Sequence, residues 1–183
     1  MCALSTNTAS DPGLERVRWR MDPTRSRVEF HAKHLFGLLT VKGRFDRYEG
    51  VLDLTAEPSI ELTIDADSLN TRNAKRDAHL RSDDFFDAAN HPEVRFVSQR
   101  VAVVDDRLDV QGELHAAGKS IPLELEGTIR RDGDELDVDV TTFADHQLLG
   151  MTWNPLGMLR SPSKLVVRGR LVRDDGGGDN ARA

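Results

Sequence analysis

D-S-L-N-T-R-N-A-K-R-D-A-H-L-R-S-D-D-F-F-D-A-A-N-H-P-E-V-R-F, Asp67 to Phe96, is the stretch where a chain otherwise written in period-2 alternation stops alternating. It is charged and helix-compatible, and it delivers Leu80, Phe85 and Phe86 together toward its end. Aromatic residues make up 5% of the chain, so placing Phe85, Phe86 and Phe96 this close concentrates a scarce kind of surface. Thr71 is positioned to cap a short helix, Asp77 and Arg81 stand at the favourable i, i+4 spacing, and Ala74 and Ala78 form a small apolar strip. Ser82 with Asp83 and Asp84 reads as a second N-cap, for one more turn that ends by Asn90-His91-Pro92. So short a helix does not hold alone in water and must dock. The surface it offers is Leu80, Phe85 and Phe86, so the segment from about 71 to 90 is expected to close or rim a cavity.

On both sides of the insert the chain alternates. Val28, Phe30, Ala32 and His34 share one face of a strand, with Arg27, Glu29, His31 and Lys33 on the other. Thr40 to Phe45, Val51 to Leu54 and Ile60 to Ala66 continue in that style, giving four strands before the insert. After it come Glu93 to Val104, Arg107 to His115, Ile121 to Gly127, Leu136 to Thr142 and Lys164 to Val172, joined by turn signals such as Ala117-Gly118-Lys119-Ser120 and Arg131-Asp132-Gly133-Asp134. Alternating strands at short intervals with little helix exclude a βαβ plan. A charged outer face on most strands favours one closed antiparallel barrel of about eight strands, with room inside for side chains or one elongated ligand.

A chain of 183 residues fits one domain. The aperiodic ends, residues 1–15 and 174–183, are expected to be disordered tails around a single domain at 16–173. The net charge of -6 argues against a nucleic-acid partner, and the arginines from Arg16 to Arg27 read as a solvated basic edge. The lone Cys2 forms no internal disulfide, Met1 to Gly13 has no apolar leader core, and no run approaches the roughly 20 apolar residues of a membrane span. A cytoplasmic location is expected.

The catalytic signatures fail on spacing. Gly118-Lys119-Ser120 lacks the upstream glycine of a phosphate loop and is followed by Ile121-Pro122 where a helix would have to begin, so it reads as a hairpin turn. His31 and His34 have opposite parity on a strand, and no HxH, HExxH, Cys pair or G-x-S-x-G elbow occurs. No metal, cofactor or catalytic residue is expected. His34 is the inward polar residue, readable as a core histidine or as an anchor for a ligand head group. Met151 and Trp153 lie in an apolar loop that reads as cavity mouth or core edge.

These motifs in this order, D-P-T-R-S-R-V-E-F-H-A-K-H from Asp22 to His34, Gly43-Arg44-Phe45, Asp67-Ser68-Leu69-Asn70-Thr71, Arg76-Asp77-Ala78-His79-Leu80, Ser82-Asp83-Asp84-Phe85-Phe86-Asp87, His91-Pro92-Glu93-Val94-Arg95-Phe96 and Gly118-Lys119-Ser120-Ile121-Pro122, resemble the YceI-like family over about residues 19 to 172. The resemblance implies an all-β, lipocalin-like, eight-stranded antiparallel barrel with a helical segment. It implies a non-catalytic binder or carrier of polyisoprenoid chains, isoprenoid quinones or similar long-chain amphiphiles. The cavity of such a binder would be lined by Phe30, Ala32, His34, Phe45, Leu80, Phe85, Phe86, Phe96, Met151 and Trp153. Two other readings stay open, an enzyme with His34 as base and a homodimeric interaction module docking through the Trp153 loop. At ~0.8 kcal/mol per buried methylene, a forty-carbon chain would gain about 30 kcal/mol, beyond the roughly 20 at which non-covalent affinity saturates. Cavity depth, not affinity, is expected to set the preferred length.

Overall fold

The alternating segments form a sheet that closes on itself. In the computed structural model, residues 17–34, 38–55, 57–152 and 160–174 are described. Their strands are β1 (Arg18–Met21), β2 (Arg27–His34), β3 (Leu39–Phe45), β4 (Tyr48–Asp53), β5 (Ser59–Asp65), β6 (Leu69–Asn70), β7 (Glu93–Val104), β8 (Arg107–Ala116), β9 (Lys119–Asp132), β10 (Glu135–Ala144) and β11 (Arg160–Arg173). One helix, α1 (Ala74–Arg81), follows β6. Antiparallel pairing runs β1-β4-β5-β7-β8-β9-β10-β11 and returns to β1, a closed eight-stranded barrel. Of the tails expected at 1–15 and 174–183, all but Asp174 lie outside the described residues, as do the turn at Phe36-Gly37, the loop at Trp153 and the side chain of His34.

Three strand paths are broken along one line. β11 pairs through Leu171 to Arg173 with β1 and through Arg160 to Arg168 with β2, so β1 and β2 are two halves of one path. The breaks at 22–26, at Asp46-Arg47 and at Ala66–Ser68 face one another. Asp46 N–H donates to the Ser68 carbonyl, Arg47 N–H to Ser68 Oγ, and the Tyr48 hydroxyl to the Ser26 carbonyl at 2.6 Å. Asp22 fixes the first break by accepting from Thr24 N–H, Thr24 Oγ and Arg25, whose guanidinium also grips Glu135. Beyond this line β2, β3 and β6 join the barrel only through β11. The resulting opening between β6 and β7 is spanned by residues 71–92.

β1 corrects the sequence reading, which took Arg16 to Arg27 as a solvated edge. Arg18 and Arg20 do face out, but they alternate with Trp19, which is 1% exposed. Together with Leu136 and Leu108, at 0% and 1%, it packs one end of the barrel solid, and the Arg173 guanidinium lies 5.7 Å from the Trp19 ring centre. The opposite end carries α1, the β8–β9 hairpin and the connection after β10. The β8–β9 turn is Ala117-Gly118, both at positive φ, as a twisted two-residue hairpin requires, so Gly118-Lys119-Ser120 is turn and strand.

The insert folds as a short helix followed by turns, with different anchors from those expected. Asn73, not Thr71, caps α1 by accepting from Arg76 N–H. Thr71 instead donates its N–H and hydroxyl to the buried Asp77 carboxylate, while Arg76 donates to the Thr71 oxygens. Arg81 reaches the Leu69 carbonyl at 2.6 Å and Asp67 at 3.4 Å rather than pairing with Asp77. Ser82 ends α1, its hydroxyl donating to the His79 carbonyl, so the expected second helix start is a C-cap. Ala74 and Ala78 face solvent. The helix is therefore held by buried hydrogen bonds, and its apolar contribution comes from Leu80 and the turns after it.

Candidate functional site

Inward positions of the strands enclose a cavity of about 350 Å³ that runs from Leu171 and Leu108, next to the packed end, up to Leu80, Phe85 and Met151 at the open end. Its middle is aliphatic, built from alternate residues such as Leu62 and Ile64 on β5, Val110 and Leu114 on β8, Leu123 and Leu125 on β9, and Val138 and Val140 on β10. Eight of the ten residues expected to line a cavity do so: Phe30, Ala32, Phe45, Leu80, Phe85, Phe86, Phe96 and Met151. The other two, Trp153 and the His34 side chain, lie outside the described residues.

Aromatic rings close the corner between insert and sheet. Phe30 and Phe45 stand 5.8 Å apart at 48°, and Phe45 meets Phe86 edge-on at 5.8 Å and 89°. The 9% exposed Phe85 packs edge-on against His79 at 5.3 Å. Edge-to-face pairs of this kind add about 0.5–1.5 kcal/mol each beyond their area burial. On the far side of the mouth, Gly150 takes φ +82°, which lets Leu149 and Met151 on either side of it both reach the cavity.

Apart from Glu29 and Glu61, the polar residues that line the cavity stand at its open end. Arg76 and His79 come from α1, and Thr142, His146 and Ser163 from the ends of β10 and β11. Glu29 and Glu61 also border the cavity, but their carboxylates are engaged elsewhere, Glu29 with His31 at 3.6 Å and Glu61 with Arg95 at 2.6 Å. His146 is 8% exposed, and its Nδ1 lies 3.2 Å from Ser163 Oγ. Burial pushes the imidazole below its ordinary pKa, with Asp145 opposing, so a neutral ring faces the cavity mouth. The sequence reading passed over His146, although Thr142, Ala144 and His146 continue the inward parity of β10 beyond its end. Among the described residues no three His, Cys, Asp or Glu side chains converge as metal ligands. No helix among them is long and apolar enough to cross a membrane.

Comparison with known proteins places this architecture. Protein YceI of Escherichia coli O157:H7 is 34% identical over 112 residues, 59% of this chain and 58% of the relative, so the match spans little more than half of that protein. The crystal structure of Burkholderia cenocepacia BcnA superposes with a TM-score of 0.74 at 19% identity, covering 82% of this chain and 98% of that one. A polyisoprenoid binding domain from Saccharophagus degradans gives 0.72 at 16% identity, covering 86% and 99%. At those identities the likeness is one of fold. The YceI-like domain pattern itself matches residues 19–171, the whole barrel from Trp19 to Leu171, and the chain belongs to the YceI-like domain family.

Proposed function

We propose that the chain binds and carries one long-chain amphiphile, a polyisoprenoid, isoprenoid quinone or similar lipid, without catalysing chemistry on it. The observation that carries this reading is the polarity gradient along the cavity. Its depth is lined by aliphatic side chains, while Thr142, His146, Ser163, Arg76 and His79 gather at the mouth. An amphiphile would enter tail first and leave its head among hydrogen-bonding groups, a small polar set that orients a largely apolar ligand. The tail would lie against Phe30, Ala32, Phe45, Leu80, Phe85, Phe86, Phe96 and Met151. The neutral His146, held by Ser163, is suited to a carbonyl or hydroxyl head. The Saccharophagus degradans domain is by its description polyisoprenoid-binding, which supports this ligand class.

Native mass spectrometry of the purified full chain tests the reading. A 1:1 apolar adduct lost on organic extraction, and regained on incubation with a long-chain alcohol, is the expected result. Failure of the extracted protein to take up any chain would refute it.

A further inference from the structure

We propose that the open end of the barrel docks on an anionic lipid bilayer, placing the cavity mouth against the membrane so that an amphiphile passes between them without crossing water. This rests on the proposed carriage only in treating the cavity as the ligand's destination.

The first observation is where the exposed apolar side chains stand. Of the five large hydrophobic residues well exposed among those described, four are at the open end: Leu38 at 84%, Leu39 at 55%, Phe143 at 59% and Leu148 at 64%. Each adjoins the cavity wall along the chain. Leu39 is two residues from Val41, Phe143 lies between Thr142 and Ala144, and Leu148 precedes Leu149, all of them lining residues. Single exposed hydrophobes are ordinary on a soluble surface, but a set collected around an opening marks a contact.

The second observation is charge. The chain has only five lysines, Lys33, Lys42, Lys75, Lys119 and Lys164, and every one is at this end. Lys33 and Lys42 flank the tip of the β2–β3 hairpin, Lys75 is on α1, Lys119 begins β9 and Lys164 pairs across β11 with Phe143. Phe143, Lys164, His31 and Lys42 are successive cross-strand partners, one row across β10, β11, β2 and β3. No lysine is in an ion pair among the described residues. Arginines toward the packed end are paired, as Arg25 is with Glu135, Arg107 with Asp109 and Arg170 with Asp132. Flexible lysine stems lie along apolar surface and send their ammonium groups to phosphates, as a headgroup layer requires.

The net charge of -6 would repel an anionic surface if it acted as a whole. Screening confines the interaction to about 8–10 Å, so the charges at the contact decide. Asp83 and Asp84 lie in the insert, which sets the footprint on the sector of β2, β3, β10 and β11, where Asp145 accepts from the Gln147 N–H and Glu29 lies beside His31. Each lysine near such a surface strengthens partition about fivefold.

Vesicle flotation of the full chain tests this, with phosphatidylcholine vesicles prepared with and without phosphatidylglycerol. Binding only to the phosphatidylglycerol vesicles, and its loss at high salt, are expected. Combining Lys33→Gln, Lys42→Gln and Lys164→Gln should weaken partition roughly a hundredfold. Leu39→Ser with Leu148→Ser should also release the protein, whereas Val104→Ser, an equally exposed site at the packed end, should change nothing. Melting curves verify folding of each variant. Uptake of a fluorescent fatty acid without vesicles reads carriage separately and should be unaltered in all of them, so failure there would count against carriage and not against docking. Docking is overturned if the wild type ignores phosphatidylglycerol, binds both vesicles equally, or binds as well after the lysine changes. It is also overturned if the leucine changes split a dimer in light scattering while vesicle binding persists, which would assign the rim to a second copy.

Discussion

A finite cavity makes ligand length measurable. An engineered void of about 150 Å³ holds one benzene, so by proportion about fourteen carbons fit within the 350 Å³ enclosed here. At ~0.8 kcal/mol per methylene, affinity should rise about fourfold with each added carbon up to that length, before ordering of the chain reduces the slope. Beyond it, further carbons protrude through the mouth and add little. A forty-carbon chain would thus be held by its first third. The perturbation is Leu125→Trp. Leu125 faces the cavity midway along β9, opposite Val110, and the indole adds about six heavy atoms to a space already open. The plateau should move from about fourteen carbons to about eight. Titration calorimetry with straight-chain alcohols from about eight to about twenty carbons reads both quantities. Affinity independent of chain length, a rise that continues to the longest alcohol, or an unchanged plateau in Leu125→Trp would each refute the reasoning.

Other substitutions probe the frame around the cavity. Trp19→Ala removes from the packed end the most buried aromatic side chain among the described residues and should cost about 3–5 kcal/mol, read as a drop in Tm of roughly 10 °C or more. Asp77→Ala strands the buried N–H of Thr71 and should cost about 1–3 kcal/mol in urea unfolding, loosening the insert. His146 sets a pH dependence. Its folded pKa lies below the ordinary 6.5 that it regains on unfolding, so the unfolded chain takes up more protons as the solution is acidified. Stability should be full above about pH 6.5 and fall as the pH is lowered through that value toward the folded one, and His146→Gln should flatten the slope.

How far the sequence was legible follows from which physical signal each element carries. Period-2 alternation is long on β7 to β11 and locates each of those five strands, because a one-residue slip would turn every apolar side chain to water. β1 has the same alternation, Trp19 and Met21 alternating with Arg18 and Arg20, but four residues are too few to outweigh a cluster of arginines. The breaks at 22–26, Asp46-Arg47 and Ala66–Ser68 are visible only once three strands lie side by side, since what holds them is hydrogen bonding between paths far apart in sequence.

The insert shows the same division. Its apolar payload of Leu80, Phe85 and Phe86 was legible because burial follows residue type, and all three reach the cavity. Its polar wiring was not. Asp77 can satisfy Arg81 one helical turn away or the N–H of a residue six earlier, and spacing alone favours the local partner by only about 0.3–0.5 kcal/mol. Desolvation reverses that choice: once Asp77 is covered, a carboxylate accepting both the N–H and hydroxyl of Thr71 is satisfied without ordering a long, mobile side chain. His146 was missed for the opposite reason, because its parity signal was present but lay beyond the end of the strand that carried it. The open end of the cavity is therefore the part least readable from the chain and most dependent on the fold. His146 and Ser163 are seventeen residues apart in sequence and meet only because β10 and β11 pair.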